Sequence, residues 1–118
     1  MAYRIVKQVA SIGAGATVSL NTDVDFAAVR TSTNGRIVRS IGIAGATVNT
    51  GILKVLVANE AIFSVANGVT NTTGAPIKGD DAVDVMEAVE ASETLDFQVY
   101  NSSGGALQFY VYAELEDV

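Results

Sequence analysis

Six carboxylates recur at every third position in the second half of the chain: Asp81, Asp84, Glu87, Glu90, Glu93 and Asp96. Carboxylates are the ligands Ca²⁺ prefers, but a site needs several of them to converge with carbonyl oxygens on one point. A period of three spreads them over both faces of a strand or around a helix, and no D-x-D-x-D-G loop gathers them. The pattern predicts a solvated flank, or a sheet edge kept from aggregating. Asp80, Asp81 and Asp84, beside a loop, are the best Ca²⁺ candidates if that reading fails. Two carboxylates roughly 5 to 10 Å apart would also suffice for glycoside hydrolysis. Sugar clefts, however, usually carry aromatic and polar sugar-binding groups as well, and tryptophan is absent.

The inventory removes most other chemistry. The chain has no cysteine and no histidine. Disulfides, thiolate or imidazole metal sites and Ser-His or Cys-His nucleophiles are therefore excluded. Thr22, Thr31 and Thr33 have no base in the sequence to activate them. No catalytic, cofactor-binding or metal-binding residue is assigned, and the expectation is that the protein is not an enzyme.

The segments SIGAGATV from Ser11 and SIGIAGATV from Ser40 share the pentad AGATV. Neither is a nucleotide loop. The dinucleotide fingerprint needs a third glycine where Val18 stands, and the phosphate loop needs a Lys followed by Ser or Thr, which neither copy has. Both copies are expected to be turns or bulges leading into strands, with Gly13, Gly15, Gly42 and Gly45 allowing positive φ or close backbone approach. The flanks diverge, so a repeat array is not expected.

Residues 1 to 59 hold six bases against two acids, a balance of +4, while residues 60 to 118 hold one base against eleven acids, a balance of −10. Two readings fit. Opposite charges can pair between neighbouring strands of one subunit, which needs no partner and is preferred. Alternatively, a basic and an acidic flank can steer head-to-tail packing of copies. Arg30, Arg36 and Arg39 around TSTNG form a weak nucleic-acid footprint, without aromatic interleaving in an acidic chain, and ion pairing is expected instead. Tyr100, Tyr110 and Tyr112 share the polar parity of the last two strands. They read either as half-exposed cross-strand pairs, such as Tyr100 with Tyr110, or as a face covered by another subunit or ligand. The candidate interface residues are thus Tyr100, Tyr110, Tyr112, Arg36 and Arg39.

Stepping from residues to elements, the dominant hydrophobic period is two. Leu95, Phe97 and Val99 alternate with Asp96, Gln98 and Tyr100, and beyond NSSGG so do Leu107, Phe109, Val111, Ala113 and Leu115 with their polar neighbours. These two runs predict a hairpin. Val24, Phe26 and Ala28 alternate with Asp23 and Asp25, and Ile37, Arg39, Ile41 and Ile43 with Arg36, Val38 and Ser40, as further strands. YRIVKQV is a first strand, and GILKVLVANEAIFSV is apolar on both parities, as in central strands covered on both sides, with a tight turn at Asn59-Glu60. Residues 67 to 80 form a turn-rich loop, a possible ligand or Ca²⁺ site. Residues 80 to 91 fit a strand better than a short helix, because a helix would be alone among strands.

Seven or eight strands in 118 residues predict one antiparallel β-sandwich domain spanning 1–118, long enough to bury roughly two thirds of its unfolded surface. An immunoglobulin-like sandwich is the alternative to a jelly roll. No stretch is long and apolar enough for a membrane span, and the N-terminus lacks the apolar block of an export signal, so a soluble protein is expected. In overall texture, with its short N-terminal arm, Gly/Ala/Thr/Ser/Val-rich body and closing strands ETLDFQVYNSSGGALQFYVYAEL, the chain resembles small single jelly-roll structural proteins of viral particles. The resemblance implies a virion shell or decoration component that self-associates into a homo-oligomer or binds a capsid lattice; it implies no residue roles. A carbohydrate- or protein-binding β-sandwich module is the second reading.

Overall fold

The computed structural model describes residues 2–45, 47, 49–67 and 82–118. Among these residues eight strands and one short helix follow one another: β1 (Ala2–Ile12), β2 (Thr17–Ser19), α1 (Val24–Ala28), β3 (Arg36–Gly45), β4 (Gly51–Val57), β5 (Glu60–Ala66), β6 (Ala82–Val89), β7 (Leu95–Asn101) and β8 (Leu107–Asp117). They form two four-stranded antiparallel sheets, ordered β1-β8-β3-β6 and β2-β7-β4-β5. The pairs nest: β4 with β5 innermost, then β3 with β6, β2 with β7 and β1 with β8. An all-β sandwich is therefore observed. In an immunoglobulin sandwich the first two strands share a sheet; here β1 and β2 lie in different sheets, which sets that alternative aside.

The core is the alternating apolar set of both inner faces. Phe97, Val99, Phe109, Val111, Ala113 and Leu115 are all buried, as their period of two requires. Phe26 meets Phe97 with ring centroids 4.9 Å apart in a tilted arrangement, the geometry aromatic quadrupoles favour. Glycine is required where Phe109 passes the second corner. A Cβ on Gly51 would lie 2.5 Å from Phe109 Cε1, and one on Gly45 would lie 2.8 Å from its Cδ1.

Several expectations are corrected. The strands β7 and β8 do not form a hairpin; NSSGG carries the chain from one sheet to the other, because each strand finds a better-matched partner in an earlier segment. Tyr100 and Tyr110 accordingly cannot pair across strands. Residues 24–28 are helical: the Asp23 carboxylate accepts from the backbone N–H of Asp25 at 2.9 Å and of Phe26 at 3.3 Å, an N-cap that turns the chain and drops Phe26 into the core. In β3 the residues that join the apolar core are Val38, Ile41 and Ile43, not one parity, because a bulge at Arg39 shifts the register against β8. The β4–β5 turn falls one residue early, at Ala58-Asn59, both with positive φ. In β4 only one parity reaches the core, while Ile52, Lys54 and Leu56 stay half-buried on the outer face. The strand favoured over a helix for 80–91, by contrast, is observed as β6 over Ala82–Val89; residues 80 and 81 lie outside the described residues.

Candidate interaction surfaces

The two AGATV pentads occupy equivalent places, each where the chain leaves the first sheet for the second, but they are built differently. The first is a turn: Ala16 N–H donates to the Gly13 carbonyl at 3.0 Å, Gly15 has φ +68°, and β2 begins at Thr17. In the second copy Ser40 to Gly45 lie inside β3, and of the turn or bulge expected there Ala46 and Val48 lie outside the described residues. There glycine serves the close approach of Phe109. Neither copy opens a helix that could hold an anion.

A buried asparagine fastens each corner. Asn101, at the end of β7, donates through Nδ2 to the carbonyls of Ile12 and Gly105, both at 2.8 Å. Its backbone bonds both sides of the first turn, accepting from Gly15 N–H and donating to the Ala16 carbonyl. Asn67, after β5, accepts at Oδ1 from the N–H of Thr50 at 3.1 Å and Gly51 at 2.8 Å, and donates to the Thr47 carbonyl at 2.7 Å. Both residues are fully buried. Sequence reasoning read them as parts of turns; the available signal was that each ends an apolar strand just before a Ser- or Gly-rich connection.

The arginines answer the question of charge. Arg30 Nε donates to Asp96 Oδ1 at 2.7 Å, and that hydrogen bond, followed by the carboxylate charge, raises the guanidinium further above its ordinary range, against a small opposing desolvation. On the alkaline side the contribution is lost only as pH climbs past the raised value, so it does not vary near neutrality. Arg36 is buried, with Nε donating to Asp117 Oδ1 at 2.9 Å and Nη1 to the Val29 carbonyl. Arg39 pairs with Glu116 and has Nε 3.9 Å from Glu114. Bases of the first half meet acids of the second inside one subunit, the preferred reading.

The tyrosines divide among three settings. Tyr100 is half-buried on the outer face of the second sheet, opposite Thr17 and Ile52. Tyr110 is half-buried on the first sheet opposite Gln8 and Ala44. Tyr112 is only 6% exposed; its hydroxyl donates to Glu114 Oε2 at 3.0 Å, and the Ser40 hydroxyl stands 3.5 Å away. Gly42 and Ala44, opposite Tyr112 and Tyr110, are buried although they carry little side chain, so much of this aromatic area is used within the chain. The five candidate interface residues do not form one patch. Tyr100 lies on the second sheet; the other four lie in strands of the first, where Tyr112 and Arg39 both approach Glu114 and Arg36 sits in the wall of a cleft.

That cleft, about 330 Å³, is lined by residues 31–36 and Asp117. Its one buried hydroxyl without a hydrogen bond among the described residues is Ser32 Oγ. No activating base faces it, since Asp117 is engaged with Arg36. Among the described residues no three carboxylates gather to hold a metal ion. The every-third acids are dispersed: Asp96 is buried against Arg30, while Glu87 lies on β6 and Glu90 and Glu93 in the turn after it. Asp80, Asp81 and most of the 67–80 loop lie outside the described residues. No described helix is long and apolar enough to cross a membrane. No protein-family model matches the sequence, and neither a curated protein nor a solved structure matches it.

Proposed function

We propose that this chain is a non-enzymatic structural subunit of a virus particle, associating with copies of itself or with a capsid lattice as a shell or decoration component of the virion, on a jelly-roll scaffold. The observation that carries the reading is the strand order. Strands that pair first with eighth, second with seventh, third with sixth and fourth with fifth, in sheets β1-β8-β3-β6 and β2-β7-β4-β5, support a jelly-roll reading of the sandwich, an architecture used in viral capsids. Self-association fits what such a sandwich leaves unpaired. Among the described residues the end strands β1, β2, β5 and β6 each have one hydrogen-bonded neighbour, and β4 turns Ile52 and Leu56 toward an outer face where they are only half-buried. Contact between copies would cover this edge and face area.

Sedimentation velocity over a range of concentration and salt, with negative-stain images of the same samples, tests the reading. Defined assemblies or particles are expected. A strict monomer under every condition, together with measurable glycan binding, would instead establish the carbohydrate-binding module.

A further inference from the structure

Resting on the self-association proposed above, we infer that copies of this chain meet head to tail through the two end strands of the first sheet, the basic β1 of one copy against the acidic β6 of the next. Both strands are sheet ends: among the described residues β1 is bonded only to β8 and β6 only to β3. Their charges are opposite and unmixed. Strand β1 contains Arg4 and Lys7 in its sequence, and residues 1–22 contain no acid. Strand β6 and the turn after it carry Glu87, Glu90 and Glu93, and residues 82–93 contain no base. Three of the other bases, Arg30, Arg36 and Arg39, are met by acids within the subunit. The two end strands of the first sheet thus differ in the sign of the charges their sequences carry.

This arrangement decides the kind of contact. A two-fold interface would set β1 against β1 or β6 against β6, bringing like charges together, which costs free energy and rejects that pairing. Opposite edges attract, so the contact is between unlike patches and propagates into a ring, or into an open row if the rotation does not close. Apolar area is available at the acidic edge, where Met86 is 56% and Val83 44% exposed. Met86 has φ +49° at the register shift of β6 against β3, which interrupts the ladder. The contact therefore runs through side chains and not through a continuous extension of the sheet.

The test is a pair of charge reversals in the full chain, Arg4→Glu with Lys7→Glu, and Glu87→Lys with Glu90→Lys, each checked for folding by circular dichroism and thermal melting. Each variant alone has like charges on both edges and is expected to lose about tenfold or more in association, roughly the effect of a 1.4 kcal/mol penalty. An equimolar mixture has complementary edges again and is expected to assemble with alternating composition. Wild-type association is also expected to weaken several-fold when NaCl rises from about 0.05 to 0.5 M, because screening shortens the reach of exposed charges. Glu90→Lys alone, in an exposed turn, and the salt titration need no change in β1 and decide the same point if the double reversals do not fold. Wild type that assembles indifferently to salt, or a folded variant mixture that stays apart while wild type assembles, overturns the head-to-tail contact and leaves self-association standing. Wild type that never assembles overturns self-association and this inference together.

Discussion

At the scale of single residues, the corners of the sandwich depend on two side-chain amides. Asn67 satisfies two backbone N–H groups and one carbonyl, and Asn101 satisfies two carbonyls, all close to the places where the chain changes sheets. Alanine at position 67 removes the partner of the buried Gly51 N–H, and of Thr50 N–H beside it, and alanine at 101 removes the amide from the buried Ile12 carbonyl; each buried orphan costs about 1–3 kcal/mol. Asn67→Ala and Asn101→Ala are each expected to lower unfolding free energy by about 2–3 kcal/mol in urea titration, with little change in slope. A loss below about 0.5 kcal/mol would mean the corners are held by backbone alone. The sequence announced the residue types at these corners and not their use, because an asparagine before Gly or Ser serves an exposed turn equally well.

At the scale of elements, two local devices override the period-two pattern. Asp23 caps a helix in a stretch that alternates like a strand, and its capping bonds, together with burial of Phe26 against Phe97, favour the turn of helix. The bulge at Arg39 exchanges which parity of β3 faces inward. The β4–β5 turn leaves a different trace: Ala58 and Asn59 have φ +51° and +67°, the sign a type I′ turn requires at both positions, where Asn-Gly is the favoured pair. Alanine in the left-handed region is disfavoured by about 1 kcal/mol. Ala58→Asn combined with Asn59→Gly is expected to raise stability by about 0.5–1 kcal/mol, seen as a higher urea midpoint; a lower midpoint would exclude this turn geometry.

At the scale of the whole molecule, nested pairing makes nearly every ladder non-local. The outermost pair begins at Ala2 opposite Glu116, so its closure joins almost the two ends of the chain. Loop-closure entropy must be met before those contacts form, which places all-β sandwiches in the millisecond-to-second range of folding. Refolding from urea, followed by tyrosine fluorescence, is expected in that range; complete refolding in microseconds would contradict the nested order.

What the sequence by itself determined is the class and its surfaces: period-two strands, one apolar core, an inventory without thiol or imidazole, and two halves of opposite charge. These are properties of composition and short-range pattern, and Phe97, Val99, Phe109, Val111 and Leu115 could be placed in the core from alternation alone. Only the tertiary structure decided partners. Whether β7 pairs with β8 or with β2 and β4, whether Arg36 faces Asp117 or a second copy, and whether the AGATV pentads are turns or strand ends depend on contacts between segments far apart in the chain. Alternation specifies a strand's two faces and says nothing about its two edges. In this fold the edges decide the winding, and they place the basic and acidic ends of the first sheet on opposite sides of the molecule.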